Sequence, residues 1–292
     1  MPINIPRGPS ADPIADANRL TLRDHLLLDW LAEHYLLTAD QIARALFSSL
    51  RTAQRRLQLL TAIGALYRYR PQHGSPGGLT QYGLGRLGAL LRPHAYHLSD
   101  SARRTRAPRT DLERRARIAA DPAQQRHLTG VNEFFIRLHV HTAAQPRDRL
   151  TRWWSEQHAT AEYAVYPGNI RPDGHGIWDT GHGEVGFFLE HDRGTENLAR
   201  VLKKLDGYRQ LASRGPTYPV LLHLPGRRRE DNLQRELGLL QLTIPVLTAV
   251  HADDPAGQVW AMPGITRRRF HLHELPSSHG EPGPFNPTHP DY

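Results

Sequence analysis

Three acids stand where a chain can gather a divalent cation. Asp173 follows Pro172, and Glu190 and Asp192 close the apolar run Val185-Gly186-Phe187-Phe188-Leu189. That run reads as a buried central strand. Positions two apart on a strand project from one face, which puts Glu190 and Asp192 together. Carboxylates are hard oxygen donors of the kind that Mg2+ or Mn2+ takes. A cation held so activates water and offsets charge on a scissile phosphate. The candidate metal ligands are therefore Asp173 and Glu190, with Asp192 as a third acid. Lys203 and Lys204, the chain's only lysines, lie about two to three turns into the following helix. Either can help orient or activate water only if that helix packs across the strand ends. The plainer reading is a solvated strand exit, with His191 and Arg193 as charge partners. His191 points away from Glu190 and reads as a packing or surface histidine.

A second set of residues suits a different chemistry. Residues 21–63 hold three helical patterns. The first, Leu22 to Glu33, carries Leu26, Leu27, Trp30 and Leu31 on one stripe. The second opens with Thr38-Ala39-Asp40-Gln41, a capping box in which each end residue satisfies the other's backbone amide. The third starts after Ser48 or Ser49, with Leu57, Leu60 and Ile63 facing inward. Ala65 to Arg70 then alternates like a strand, Pro71 to Gly78 is turn-rich, and Leu79 to Tyr82 reads as a return strand. Leu84 to Leu91 reads as a short helix. Three helices, the third basic on one side, followed by a hairpin with a Gly/Pro tip, describe a winged helix-turn-helix. Its third helix fits a DNA major groove. Ser49, Arg51, Thr52, Gln54, Arg55 and Arg56 would lie nearest DNA, and Arg68 and Arg70 would contact its backbone.

Charge agrees with that reading. Against 29 acids stand 37 basic residues, for a net charge of +8. A basic protein is drawn to phosphate backbones by counterion release. The absence of cysteine excludes a disulfide scaffold, thiolate-held zinc and a thiol nucleophile. No segment nears the about 20 apolar residues of a membrane span, and the N-terminus lacks the form of a secretory signal. The expectation is a soluble cytoplasmic protein without a membrane partner. Gly83, Gly85 and Gly88 lack the Lys-Ser/Thr of a phosphate-binding loop, and no His-Glu-x-x-His occurs. No nucleotide or organic cofactor is expected.

Those sites imply the elements that carry them. The expected fold class is α+β in two domains. Residues 1–20 read as a flexible arm, 21–95 as the winged helix-turn-helix and 96–117 as a basic linker. Residues 118–275 form an α/β domain with a mixed sheet flanked by helices, and 276–292 a disordered tail. In the α/β domain, residues 118–143 form a helix with Leu128, Val131, Phe134, Phe135, Leu138 and Val140 inward. Strands are expected around Trp153-Trp154, over Ala161 to Tyr166, over Val185 to Leu189, over Tyr218 to Leu224 and over Ile244 to Val250. Helices are expected after a Thr195 N-cap and over Asn232 to Leu239.

The pattern Pro172-Asp173 … Phe188-Leu189-Glu190-x-Asp192 resembles the metal-dependent nuclease core of the PD-(D/E)XK type, a restriction-endonuclease-like fold. Asp192 occupies the position that is usually Lys there. More of the chain resembles the replication-relaxation family. The likeness rests on Arg126-His127-Leu128-x-x-x-Asn132-x-Phe134, Ile170-Arg171-Pro172-Asp173, Phe188-Leu189-Glu190-x-Asp192-Arg193-Gly194-Thr195-Glu196 and Lys204-Leu205-x-x-Tyr208. It covers roughly residues 20–265. It implies a DNA-binding protein for replication or relaxation of a plasmid or integrative element, with a nuclease-like second domain that takes Mg2+ or Mn2+. The expected partner is double-stranded plasmid DNA, together with a relaxase or replication initiator; oligomeric state stays open. Two alternatives stand beside it. One is a winged-helix transcription regulator. The other is a non-catalytic scaffold that recruits a relaxase or replication initiator.

Overall fold

The computed structural model describes residues 13–69, 80–91, 118, 121–181 and 183–279. Most of the expected arm, Arg70 and the hairpin tip, the basic linker 96–117 and the tail from residue 280 lie outside the described residues. The chain divides into two compact units, Met1–Ile136 and Arg137–Tyr292. The fold is α+β, with one small antiparallel sheet and one large mixed sheet.

Caps set the helices of the first unit. After α1 (Pro13–Ala17) and α2 (Leu22–His34) come β1 (Leu37–Thr38), α3 (Ala39–Leu46) and α4 (Leu50–Ala62). β2 (Leu66–Tyr69), β3 (Gln81–Leu84) and α5 (Arg86–Leu91) follow. Thr38 and Gln41 form the expected capping box: the Thr38 hydroxyl accepts the Gln41 amide at 3.1 Å, and the Gln41 side chain accepts the Thr38 amide at 2.9 Å. Thr21 and Asp24 build a second box at the start of α2. Ser49 caps α4. Leu27, Leu28, Leu31, Ile42, Leu57 and Leu60 are fully buried, whereas Leu26 of the expected stripe is exposed. β3 lies between β1 and β2. The return strand starts at Gln81, two residues later than the sequence pattern suggests. The long helix α6 (Pro122–Ala144) contains the division between the units. In its first half the Asn132 amide donates to the Leu36 carbonyl at 2.7 Å.

The second unit is a layered α/β arrangement. Its strands are β4 (Arg149–Ser155), β5 (Gly174–Asp179), β6 (Glu184–His191), β7 (Val220–Leu224), β8 (Val246–Val250), β9 (Trp260–Ala261) and β10 (Arg269–Phe270). They lie side by side in the order β10-β9-β8-β7-β6-β5-β4. β4, β5 and β6 pair antiparallel, whereas β6, β7 and β8 pair parallel. Parallel neighbours need crossover connections, supplied by α8 (Leu198–Ala212) and α9 (Arg227–Gly238). Helices on the sheet require unbroken apolar strands, and all five residues of β7 and of β8 are buried. Among the described residues no helix is long and apolar enough to cross a membrane.

Several elements differ from the sequence pattern. Ala161 to Tyr166 is not a strand: Ser155 caps a helix, α7 (Glu156–Glu162), and Tyr163–Val165 continue as a 3-10 turn. The alternation there reflects Tyr163, buried among Trp154, His175, Phe188 and Tyr218. Strand β5 was hidden by two glycines and a histidine. The N-cap of α8 is Asn197 rather than Thr195, and α9 begins at Arg227 rather than Asn232. Ser277, Ser278 and His279 hydrogen-bond to Gly186, Thr217 and Tyr218, so the start of the expected tail is ordered against the sheet.

Candidate functional site

Antiparallel pairing brings Asp173 to Glu190. The amino end of β5 lies beside the carboxyl end of β6, with Gly174 opposite Leu189. The Asp173 amide donates to the Leu189 carbonyl at 2.9 Å, and the Asp173 carboxylate accepts the His191 amide at 2.7 Å. Glu190 is 4% exposed. Helix α8 crosses its carboxylate and supplies two donors. Lys204 Nζ donates to Glu190 Oε2 at 2.7 Å, and the Tyr208 hydroxyl donates to Oε1 at 2.5 Å. Lys204 also lies 3.8 Å from Glu196.

A close backbone approach sets the height of α8. A Cβ built on Gly207 would stand 2.8 Å from the Gly168 carbonyl oxygen, and one on Gly168 would stand 2.1 Å from the Gly207 oxygen. Gly168 also has φ +105°, a left-handed conformation that favours glycine. The two glycines let the loop that delivers Asp173 touch the helix that delivers Lys204 and Tyr208.

The electrostatics of this set are unusual. Burial, reinforced by the charge of Asp173, pushes the Glu190 carboxyl up to about 7, although Lys204 and Tyr208 pull it down. Burial pulls Lys204 down, but Glu190, Asp173 and Glu196 outweigh it and leave its ammonium above the ordinary lysine value. Burial and then Glu190 push the Tyr208 phenol well up, so it stays a donor. The centre thus has two carboxylates, one of them buried at a charge it resists, beside one firmly protonated ammonium.

The remaining predicted acid and lysine go elsewhere. The Asp192 carboxylate accepts the Gly194 amide at 2.7 Å and pairs with Arg229 of α9. Arg229 also donates to the Glu196 carbonyl. Lys203 lies on the exposed side of α8. Tyr208 was read from the sequence as an inward-facing helix residue and as part of the Lys204-Leu205-x-x-Tyr208 motif, with no role of its own. The signal for its place at the site was helical spacing: positions 204 and 208 are i, i+4 neighbours.

In the first unit, Arg51, Thr52, Gln54 and Arg55 of α4 are exposed, with Ser49 at its N-cap. Arg68 is exposed on β2. Arg56 is placed differently. Its guanidinium holds Asp24, which is 1% exposed, donating to Oδ1 at 2.9 Å and also to Oδ2. It reaches the Arg19 carbonyl at 2.9 Å as well. Burial works against the Asp24 charge, but Arg56 and Thr21 outweigh it and hold the carboxyl below its ordinary value.

A further cluster escaped the sequence reading. His191, His223 and His251 come together at the carboxyl ends of β6, β7 and β8. Burial, with the charges of His251 and Arg137, holds His223 down at about 3. Burial also lowers His251. No sequence signal marks them as a group, since each comes from a different strand and only the parallel register aligns them.

The family model for replication-relaxation matches residues 28–221. That span includes α4, Asp173, Glu190, Lys204 and Tyr208. No curated protein and no solved structure matches the chain.

Proposed function

The chain belongs to the replication-relaxation family, and on that footing we propose that it binds the DNA of a plasmid or integrative element and hydrolyses its phosphodiester backbone. The family suggests a role in replication of such an element. The observation that carries the hydrolytic reading is the convergence of Asp173, Glu190 and Lys204 at one strand end. An acid, acid and lysine set supports the reading of a PD-(D/E)XK-type centre, with the lysine supplied from the crossover helix instead of the strand.

The donor set fits a divalent cation. Burial first and the neighbouring Asp173 charge second raise Glu190, and a cation beside the two carboxylates would offset both effects. Asp173 and Glu190 are the residues that would hold Mg2+ or Mn2+, both hard ions suited to oxygen donors. When bound, the ion would supply Lewis acidity at the phosphate. Lys204 offers a fixed positive charge to orient water or neutralise developing charge. Tyr208 positions the Glu190 carboxylate by holding its other oxygen. The first unit would act as a winged helix, with Ser49, Arg51, Thr52, Gln54 and Arg55 toward the major groove and Arg68 on the backbone.

The test is a supercoiled-plasmid assay with Mg2+, Mn2+ or EDTA, comparing wild type with Asp173→Ala/Glu190→Ala, with gel shifts in parallel. Metal-dependent nicking that the double variant loses supports the proposal. Binding by both proteins with no nicking by wild type refutes hydrolysis and leaves a scaffold that recruits a relaxase or initiator.

A further inference from the structure

Behind the carboxylate centre, on the opposite face of the sheet, lies a second cluster with ligand chemistry. Successive residues of a strand project to opposite faces, so His191 leaves β6 away from Glu190. The parallel register sets His191 beside His223, and His251 follows the last residue of β8. Among the described residues these three bring donor atoms within 4.8 Å of one another. His191 and His223 are 8% and 3% exposed, and His251 is half-buried.

We propose that His191, His223 and His251 form a zinc site, with the fourth position taken by water. Two nitrogens bound to one tetrahedral ion at about 2.0–2.1 Å stand about 3.4 Å apart. The Nδ1 atoms of His191 and His223 face each other at 3.4 Å. At that separation both cannot carry protons, so at least one lone pair already points into the gap. The third ring is oriented by a backbone contact: His251 Nε2 lies 3.0 Å from the His223 carbonyl. Donation of one ring N–H to a carbonyl leaves the other nitrogen as the ligand, the usual outer support of a metal-bound histidine. The rings of His191 and His251 now stack at 4.2 Å. Binding therefore requires the half-buried His251 to turn one ring nitrogen toward the pair, giving up a backbone hydrogen bond such as the one to Asp192. Imidazoles without thiolates or carboxylates select zinc and its neighbours over Mg2+. The ion would tie together the ends of three parallel strands.

The experiment uses the full chain without a polyhistidine tag, stripped with EDTA and dialysed against Zn2+. Bound zinc is measured by elemental analysis and stability by thermal melting. About one tightly held equivalent and a higher melting temperature are expected. His251→Ala, at the half-buried position, should keep the fold by circular dichroism and weaken binding by at least about 10-fold. His191→Ala/His251→Ala should abolish the melting shift. Glu190→Gln should hold zinc as wild type does. Zinc that survives the double histidine variant, or that Glu190→Gln removes, overturns the proposal. No stabilisation of the wild type by Zn2+ does the same. Loss of plasmid nicking in Glu190→Gln bears only on the carboxylate centre.

Discussion

Replacing Glu190 with glutamine is expected to stabilise the second unit at alkaline pH and to do little at acid pH. The carboxyl is raised from 4.5 to about 7 in the folded chain, with burial the main cause and Asp173 next. A group raised on folding adds stability below its unfolded value and loses it as pH climbs through the folded value. Each pH unit between the two is worth about 1.4 kcal/mol. Between pH 4.5 and about 7 the ionisation of Glu190 therefore costs the fold about 3 kcal/mol. That shift already includes the help of Lys204 and Tyr208, so the charge is unfavourable even with its partners in place. Glutamine imitates the protonated form and carries no such cost. The assay is urea unfolding followed by fluorescence, since Trp153, Trp154, Trp178 and Trp260 belong to the second unit. At pH 8.5 the variant should exceed wild type by about 3 kcal/mol, and near pH 4.5 the two should converge. Mg2+ at pH 8.5 should stabilise wild type and leave the variant unchanged. A difference that does not vary with pH, or a variant weaker than wild type at pH 8.5, refutes the reasoning.

Four further outcomes are expected. Lys204→Met should raise Glu190 further and remove plasmid nicking, whereas Lys203→Met should leave both unchanged; the nicking assay and the pH profile of unfolding check this together. Arg56→Ala should destabilise the first unit by about 3–5 kcal/mol, because it leaves the buried Asp24 carboxylate uncompensated. Since Asp24 is held below its ordinary value, the stability it adds at neutral pH should fade as pH drops through the carboxylate range. Arg68→Ala, at an exposed position of β2, should leave the melting temperature in place and flatten the salt dependence of DNA binding by about 0.9 per phosphate contact. Gly207→Ala should cost about 1–3 kcal/mol as an overpacked contact. It should also weaken Mg2+ stabilisation, because the new methyl would push α8 off the Gly168 oxygen.

The legible parts of the sequence were those with a local physical code. The capping box of Thr38 and Gln41 came out atom for atom, because it depends on residues three apart. The apolar run before Glu190 was legible as a buried strand for the same reason. Asp173 and Glu190 could be named because proline marks a turn before one and the strand end places the other. Whether Lys204 or Lys203 would reach Glu190 was not legible. That depends on how α8 sits on the sheet, which the Gly168–Gly207 approach decides from far along the chain. Arg56 looked like its neighbours on α4. Only the fold puts it over Asp24, a cap residue on another helix. Asp192 followed the strand alternation in sequence, but it lies past the last residue of β6, where alternation no longer governs direction and Arg229 does.

The two clusters share a cause in the topology. β6 is the strand at which the sheet changes from antiparallel to parallel pairing. On its antiparallel side, the beginning of β5 must lie beside the end of β6, which carries Asp173 to Glu190. On its parallel side, the ends of β7 and β8 must lie beside the same end of β6, which carries His223 and His251 to His191. The His191 amide that binds the Asp173 carboxylate belongs to the residue whose ring faces the histidine cluster. A movement of His191 is therefore felt at Asp173 through a single peptide unit. Zinc at the histidines should hold that unit fixed, and in the plasmid assay it should lower the Mg2+ concentration needed for half-maximal nicking. An unchanged Mg2+ requirement in zinc-loaded protein would mean that the two faces act independently.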